Sequence, residues 1–536
     1  MQRDKFLVDM PAGKRNAPGE RDGRTDRIFQ ACGNHSSSPI NQDCRNNTMP
    51  GRRSFKADES FLEKLAIGAI GARAVFKELQ RQGHKPVELE RGSMDYKIWK
   101  SIKIKRLRVP DLLCLNCGTR VEARAKTQLE ISMSHSLSDP ERGWDKGLTE
   151  RDVVALSVCR KTGERPIDWE ADPLIQFISV VALRKAFAEN RVVSEKPKGA
   201  GEDFELRVTW PSAVASSDGL VSGLTAERLQ FKRQADQRTT SLALSKKSIS
   251  LQPLVKVGDH IRPGQIIASV VPVTSTLQCP GSAARSNFLG LLNSPAVADR
   301  YTAAKALSHL GDAAVSTALT QRMADDREHI YVRLEAAAGL ARAGDAAGMA
   351  FIQQTLGGQY LEHRLEAVII LGEIPTDEAR QALTTVLLDQ AQHPEIRVGA
   401  AWALGELQQP SSVDALIQVF LELAEPIRIE AARALRKIAA STGANVAAML
   451  PAAQDDQRAG IAWAVSRAGQ VKLDDLLPLL VDDDARRWVA YILGTQDQQA
   501  CIGQIEQLRQ RDPEVYFAVT VLWKLLASWV CDLQEY

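Results

Sequence analysis

Long apolar runs are missing from this chain. No stretch of roughly 18 residues is both apolar and free of charge, so no membrane-spanning helix is expected. The opening residues, MQRDKFLVDMPAGKRN, lack the apolar centre of a secretory signal. A charge excess is missing too. The 68 Lys and Arg against 66 Asp and Glu leave +2, so only a local patch could argue for nucleic acid. Cysteine is scarce. The eight thiols (Cys32, Cys44, Cys114, Cys117, Cys159, Cys279, Cys501 and Cys531) are thinly spread apart from one C-x-x-C. That pattern suits a reducing cytoplasm with a metal site better than a disulfide framework.

What remains is ordinary globular material, 44% hydrophobic and 25% charged, and its 536 residues are enough for two to four domains. Residues 1–52 are the exception. They are rich in Gly, Ser, Asn, Pro, Arg and Asp without apolar periodicity, so they cannot bury enough surface to offset chain entropy and are expected to be disordered. Met49 is an alternative first residue, because recognisable order begins just after it.

One arginine recurs, as Arg300, Arg333, Arg364, Arg397, Arg428, Arg458 and Arg487, at intervals of 33, 31, 33, 31, 30 and 29. Ala-rich amphipathic segments follow it: RYTAAKALSHLG, RLEAAAGLARAG, RLEAVIILGEI, RVGAAWALGEL and RIEAARALRKI, with looser versions at RAGIAWAVSRAG and RWVAYILG. Small residues three and four places on, then Leu or Val near seven, mark one buried helix face. The arginines are expected to bond carbonyls or carboxylates of adjacent turns and tie repeat to repeat; a ligand-binding row is the alternative. The pattern resembles short HEAT repeats of the phycobilin-lyase type over about 200 residues. It implies an α-solenoid over 285–536 that offers a surface to a protein partner. The apolar end, EVYFAVTVLWKLLASWVCDLQEY, reads as a cap helix or a docking helix.

Residues 200–280 read as a β-rich module of short strands such as FELRVTW, RLQFKR and SISLQPLVKV. Gly258-Asp259 and Pro263-Gly264 place two tight turns in VKVGDHIRPGQIIASVVP. That segment resembles barrel-sandwich hybrid modules. It lacks the carrier lysine hairpin, so a structural role is expected.

Residues 53–195 read as an α/β domain: a helix stopping at Gly83, three or four strands, then a helix in FISVVALRKAFAEN. Asp111 follows Pro110, and Glu122 lies on the next strand with Arg124 and Lys126 on its face. The order Pro-Asp, ten residues, then Glu122-Ala123-Arg124 resembles the PD-(D/E)xK nuclease superfamily. The resemblance implies a restriction-endonuclease-like fold with Asp111, Glu122 and Glu63 around Mg²⁺ or Mn²⁺. Arg124 stands where that motif has its lysine, and Arg cannot act as a base. Lys126 would have to serve from two residues further on. An active nuclease and a binding-only relative both remain open, as does the plain alternative of a strand-end Asp and an ion-paired Glu.

Nine cations fall between residues 97 and 126, opposed by two carboxylates; Lys100, Lys103, Lys105, Arg106, Arg108 and Arg120 are candidates for phosphate contact, with Tyr96 and Trp99 beside them. Cys114 and Cys117, followed by Gly118, have the shape of half a zinc knuckle. Cys159 and His135 are the available further ligands in the domain, since tetrahedral zinc takes four. Two functions follow: a metal-dependent nuclease-like protein acting on DNA, in defence or repair, with the repeats as platform; or a non-catalytic scaffold whose N-terminal domain binds nucleic acid or zinc.

Overall fold

The computed structural model describes residues 59–94, 107–165, 167–196, 205–281, 284–311, 313–469, 471–496 and 501–529. The N-terminal tail, Tyr96, Trp99, Lys100, Lys103, Lys105 and Arg106 lie outside the described residues, as do the side chains of the C-terminal tryptophans.

The chain begins with α1 (Glu59–Arg81), which buries Ala66, Ala69, Ala72, Val75 and Leu79, spaced three or four apart. Gly83, at φ +84°, stops it as the sequence predicts. The helix lies on a mixed sheet formed by β1 (Pro86–Glu88), β2 (Leu112–Cys114) and β3 (Arg120–Lys126). Outside this sheet lies β4 (Ile131–Ser136), and the sheet resumes with β5 (Val153–Lys161), β6 (Trp169–Ala171) and β7 (Gln176–Ser179). β1, β2 and β3 form an antiparallel meander, and β3 runs parallel to β5, from Val121 opposite Val153 to Lys126 opposite Val158. Contact is tight: a Cβ on Gly71 of α1 would fall 2.5 Å from the Ala125 side chain. The predicted second helix is α2 (Val180–Ala188), capped by Ser179. It starts later than expected because Phe177, Ile178 and Ser179 pair with β5 instead.

The expected boundary near residue 200 falls inside a sheet. β8 (Val193–Glu195) and β4 both pair with β9 (Glu205–Trp210), and Trp210 is buried with its indole N–H donating to Leu183 O at 3.0 Å. One apolar core runs from Ile131 through Trp210 to Val271, so the β-rich module shares the core of the head. The module holds β10 (Ser212–Val214), β11 (Gly219–Leu224), β12 (Arg228–Arg233), β13 (Thr239–Ala243), β14 (Ser245–Lys246), β15 (Ile249–Ser250), β16 (Gln252–Pro253), β17 (His260–Ile261) and β18 (Ile266–Ser269). Both predicted turns are present, with Gly258 and Gly264 in the left-handed region at φ +94° and +79°.

A helical-repeat solenoid follows. It opens with α3 (Ala284–Leu291) and continues in pairs: α4 (Val297–Leu307) with α5 (Ala313–Ala324), α6 (Ile330–Arg342) with α7 (Ala346–Leu356), α8 (Leu361–Leu371) with α9 (Asp377–Leu388), and α10 (Pro394–Leu407) with α11 (Val413–Gln418). Then come α12 (Glu425–Thr442), α13 (Asp455–Ser466), α14 (Leu473–Leu476), α15 (Asp483–Thr495), α16 (Ile502–Arg511) and α17 (Pro513–Trp529). The small residues of the repeat do what their spacing implies. A Cβ on Gly405 of α10 would meet Ala434 Cα of α12 at 2.8 Å, so these helices touch almost backbone to backbone.

Head and solenoid are not beads on a string. Leu89, Val109, Leu113 and Leu115 of the head lie in one core with Phe288, Leu292 and Tyr301 of the solenoid. At the centre sits Arg91. Its guanidinium pairs with Glu335 (Nη2 to Oε2 2.8 Å), reaches Glu373 (Nε to Oε1 2.9 Å) and lies 3.3 Å from Glu366. Lys305 and Arg342 each approach Glu373 at 2.7 Å. Three cations thus meet three carboxylates, and Arg91 and Glu335 are almost wholly excluded from water. Burial alone would neutralise Glu373; Arg91, Lys305 and Arg342 outweigh it and hold that carboxyl well below its usual range. Arg120 makes a second buried bridge, to Asp152 at 2.6 Å, with Thr302 of α4 at 3.3 Å.

Removing one partner of a buried pair leaves the other uncompensated. Arg91→Ala is therefore expected to cost about 3–5 kcal/mol in urea unfolding. Adding Glu335→Gln should recover part of that loss; a cost under about 1 kcal/mol would show that Arg91 does not hold the halves together.

Candidate functional site

Four ligand atoms converge where the head meets the segment leading into the solenoid. His84, Cys114, Cys117 and Cys279 place one donor atom each within 4.8 Å of one another. The placement follows from local structure. His84 comes just after the Gly83 stop of α1, its N–H bonded to Leu79 O. Cys114 ends β2, and Cys117 sits in the β2–β3 turn. That turn is closed by Gly118 N–H donating to Cys114 O at 2.9 Å, with Gly118 at φ +77°. Cys279 arrives from 165 residues away, its Sγ 3.9 Å from that of Cys114.

The imidazole is aimed. His84 Nε2 lies 3.0 Å from Leu277 O, which leaves Nδ1 facing Cys117 Sγ at 3.7 Å. All three thiols are free. Cys117 is drawn down to about 4, first by the Cys114 thiol hydrogen bond and also by the Thr119 hydroxyl at 3.2 Å, while its partner Cys114 is pushed up by the same bond and by burial.

Of the expected zinc ligands, Cys114 and Cys117 lie in this cluster, and Cys159 and His135 lie outside it. Cys159 is buried on β5 and donates to Ile67 O at 3.7 Å, on the side of the sheet covered by α1. His135 accepts from Trp144 N–H and stacks edge-on against Phe187. His84 and Cys279 carry no local signal: His84 stands alone after the Gly83 stop, away from the C-x-x-C in sequence, and Cys279 lies beyond the expected end of the domain.

The acidic pair is a separate cluster. Asp111, just before β2, accepts from Ala123 N–H at 2.7 Å, and Glu122 on β3 pairs with Arg124 at 2.8 Å. Desolvation, with Glu122 and Glu90 nearby, raises the Asp111 carboxyl well above its usual range; desolvation also raises Glu122. Lys126 is lowered to about 8 by burial and by Arg124, and its amine donates to Ser132 O at 2.9 Å. Glu63 is elsewhere. It pairs with Lys161, seven residues along β5 from the register partner of Glu122, roughly 23 Å away along the strand. Among the proposed phosphate contacts, Arg120 is buried in its bridge to Asp152 and unavailable, and Arg108 is exposed.

Five of the seven repeat arginines tie turns together, as expected. Arg300 bonds Ser294 O and Glu328; Arg333 bonds Met323 O; Arg364 bonds Gly358 O and Gln392; Arg397 bonds Leu387 O and Glu422; Arg458 bonds Leu450 O and Asp484. Several therefore reach a residue just before the next arginine-bearing helix. No described helix is long and apolar enough to cross a membrane.

Residues 349–436 match the HEAT repeat family. Deoxyhypusine hydroxylase-B of Oryza sativa subsp. japonica is 32% identical over 109 residues, 20% of this chain and 36% of that one; this chain thus spans about a third of that relative's length. Among solved structures, the complex of CpcE and CpcF of phycocyanin lyase from Nostoc sp. PCC7120 is 18% identical, covering 45% of this chain and 94% of that one at a TM-score of 0.23. Human deoxyhypusine hydroxylase in complex with glycerol is 18% identical, covering 41% and 96%, at 0.22.

The Asp111 shift carries a sign. A carboxyl whose pKa is raised by folding stabilises the fold while protonated, and that contribution is lost as pH rises through the raised value. Asp111→Asn should therefore melt higher than wild type at pH 7, the gap closing below pH about 4. A lower melting temperature for the variant at pH 7 would show that the carboxylate is stabilised by something else.

Proposed function

We propose that this chain is a non-catalytic scaffold whose solenoid holds a protein or peptide partner while the sheet-rich head is fixed to its first repeats. The observation that carries this reading is the distribution of exposed apolar side chains. The interior of the early repeats is taken by Arg91 and its carboxylates. In the later repeats Leu421, Leu423, Val481, Ile502 and Phe517 face water, Leu423 at 98% exposure and Val481 at 83%. Leu423 and Val481 both precede an arginine-bearing helix, so they fall on corresponding edges of their repeats. Single exposed apolar residues are ordinary; a group along one half of a solenoid suits a partner surface.

A partner that co-purifies with wild type should be lost from Leu423→Asp/Val481→Asp, with the thermal midpoint unchanged within a degree or so, because neither side chain is buried. Retention of that partner by the double variant would remove this half of the solenoid as the surface.

A second reading, a Mg²⁺- or Mn²⁺-dependent nuclease, draws on Glu122 lying close enough to Asp111 to help raise it, on the β1–β2–β3 meander beside a parallel β5, and on Arg108 at the surface. It is weakened where it needs most. Glu63 is remote, Arg124 is engaged by Glu122, and the Lys126 amine is already bonded. Labelled DNA incubated with either ion should stay intact. Cleavage abolished by Asp111→Ala and Glu122→Ala would reverse the order of the two readings.

A further inference from the structure

We infer that His84, Cys114, Cys117 and Cys279 form a mononuclear zinc site that clips the head to the segment entering the solenoid. This does not rest on the scaffold reading; it stands on the geometry of four side chains.

Zinc bound by thiolate at about 2.3 Å and imidazole at about 2.0–2.1 Å has tetrahedral edges of about 3.8 Å between sulfurs and about 3.5 Å between sulfur and nitrogen. The Cys114 to Cys279 separation is 3.9 Å and the Cys117 to His84 Nδ1 separation is 3.7 Å. A disulfide needs its sulfurs at about 2.05 Å, so this is not an oxidised pair seen slightly open. The compactness argues against a polynuclear cluster, whose ligands stand around several metal atoms.

The second observation lies outside the ligand set. Metal-bound histidines donate their other ring N–H to a carbonyl or carboxylate. His84 Nε2 points at Leu277 O, two residues before Cys279. That bond fixes the tautomer with a lone pair on Nδ1, the atom that faces the thiols. The segment carrying Leu277 is held in turn by the residue just after α1: Gln82 donates to Ser275 O at 2.9 Å and accepts from Leu277 N–H at 2.6 Å. Phe288 of α3 closes the other side, 3.6 Å from where a Cβ on Gly118 would sit. Four protein ligands leave no open position, so the role is structural.

Binding is a simple exchange. Each cysteine coordinates as thiolate, its proton passing to solvent, and the imidazole gives its Nδ1 lone pair. Three thiolates and one Zn²⁺ leave the centre at −1. The Cys117 S–H directed at Thr119 Oγ1 is then gone, and the Thr119 hydroxyl turns to donate to the thiolate. No electron moves.

The full-length chain, purified with zinc and exhaustively desalted, should hold one zinc per chain by elemental analysis. Replacement with Co²⁺ should give thiolate-to-cobalt charge-transfer bands and the visible absorption of a tetrahedral ion. Cys279→Ser and His84→Ala should each lose the metal, and Cys159→Ser should keep it. Chelation should also speed proteolytic cutting between residues 275 and 285 several-fold. A wild type that retains no zinc and gives no tetrahedral Co²⁺ spectrum overturns the site, whatever the variants do. Full zinc in Cys279→Ser overturns the ligand set. Iron in place of zinc in protein from zinc-supplemented cells overturns the metal, and cutting indifferent to chelation overturns the clip.

Discussion

The architecture depends on a guanidinium that belongs to one half of the chain and is solvated by the other. Arg91 sits in the loop after β1, and its counter-charges stand on α6, α8 and the turn after α8. An ion taken out of water must recover its hydration from fixed groups, and here several carboxylate oxygens and the Tyr301 hydroxyl, 3.4 Å from Arg91 Nη1, do so. The arrangement is balanced only when both halves are present. Without Arg91 the solenoid interior would hold three acids against Lys305 and Arg342; without the solenoid, the loop of the head would have no reason to keep its shape. Such an ion network fixes relative position more than it adds stability, because buried charge interactions roughly offset their desolvation. The adjoining apolar contacts around Phe288 and Tyr301 supply the favourable burial.

That constraint explains why the two candidate sites differ in character. The Cys and His cluster lies on the junction and draws its ligands from segments that the junction holds in place. The acidic pair lies within the head, where Asp111 bonds a strand amide and Glu122 an arginine. Its groups are occupied with one another, and the lysine and the distant glutamate that chemistry would require are committed to other contacts. A site assembled for catalysis would leave its base and its metal ligands facing a common space.

Much of this was legible in the sequence, and the limits have physical causes. The repeats could be read because helix packing demands small residues at a fixed period, and the arginines because each must satisfy carbonyls at a turn. Gly83, Gly258 and Gly264 were readable because a left-handed backbone excludes most other residues. The helix start in FISVVALRKAFAEN was misplaced because β-branched residues serve a strand and a buried helix equally well, and only the pairing with β5 decides. The role assigned to Arg120 failed because a run of cations in sequence does not show which of them meets a buried carboxylate, and Asp152, 32 residues further on, takes Arg120. His84 and Cys279 were out of reach because no local pattern links residues 195 positions apart; only the fold brings them to Cys114 and Cys117.

The separations in sequence also impose an order of events on a ribosome. The β2–β3 turn with its C-x-x-C emerges early, followed by a long stretch of strands before Cys279 appears, and Glu335, Glu366 and Glu373 come later still. Throughout that interval Arg91 has no counter-ions and the C-x-x-C pair is one ligand short. The sheet-rich half can collapse around Trp210 and its neighbours as it is made, but its outer loop must wait for helices not yet synthesised. A nascent chain of this kind is vulnerable for longest at that early loop, and a fragment cut at the visible seam between strands and helices would carry that vulnerability permanently.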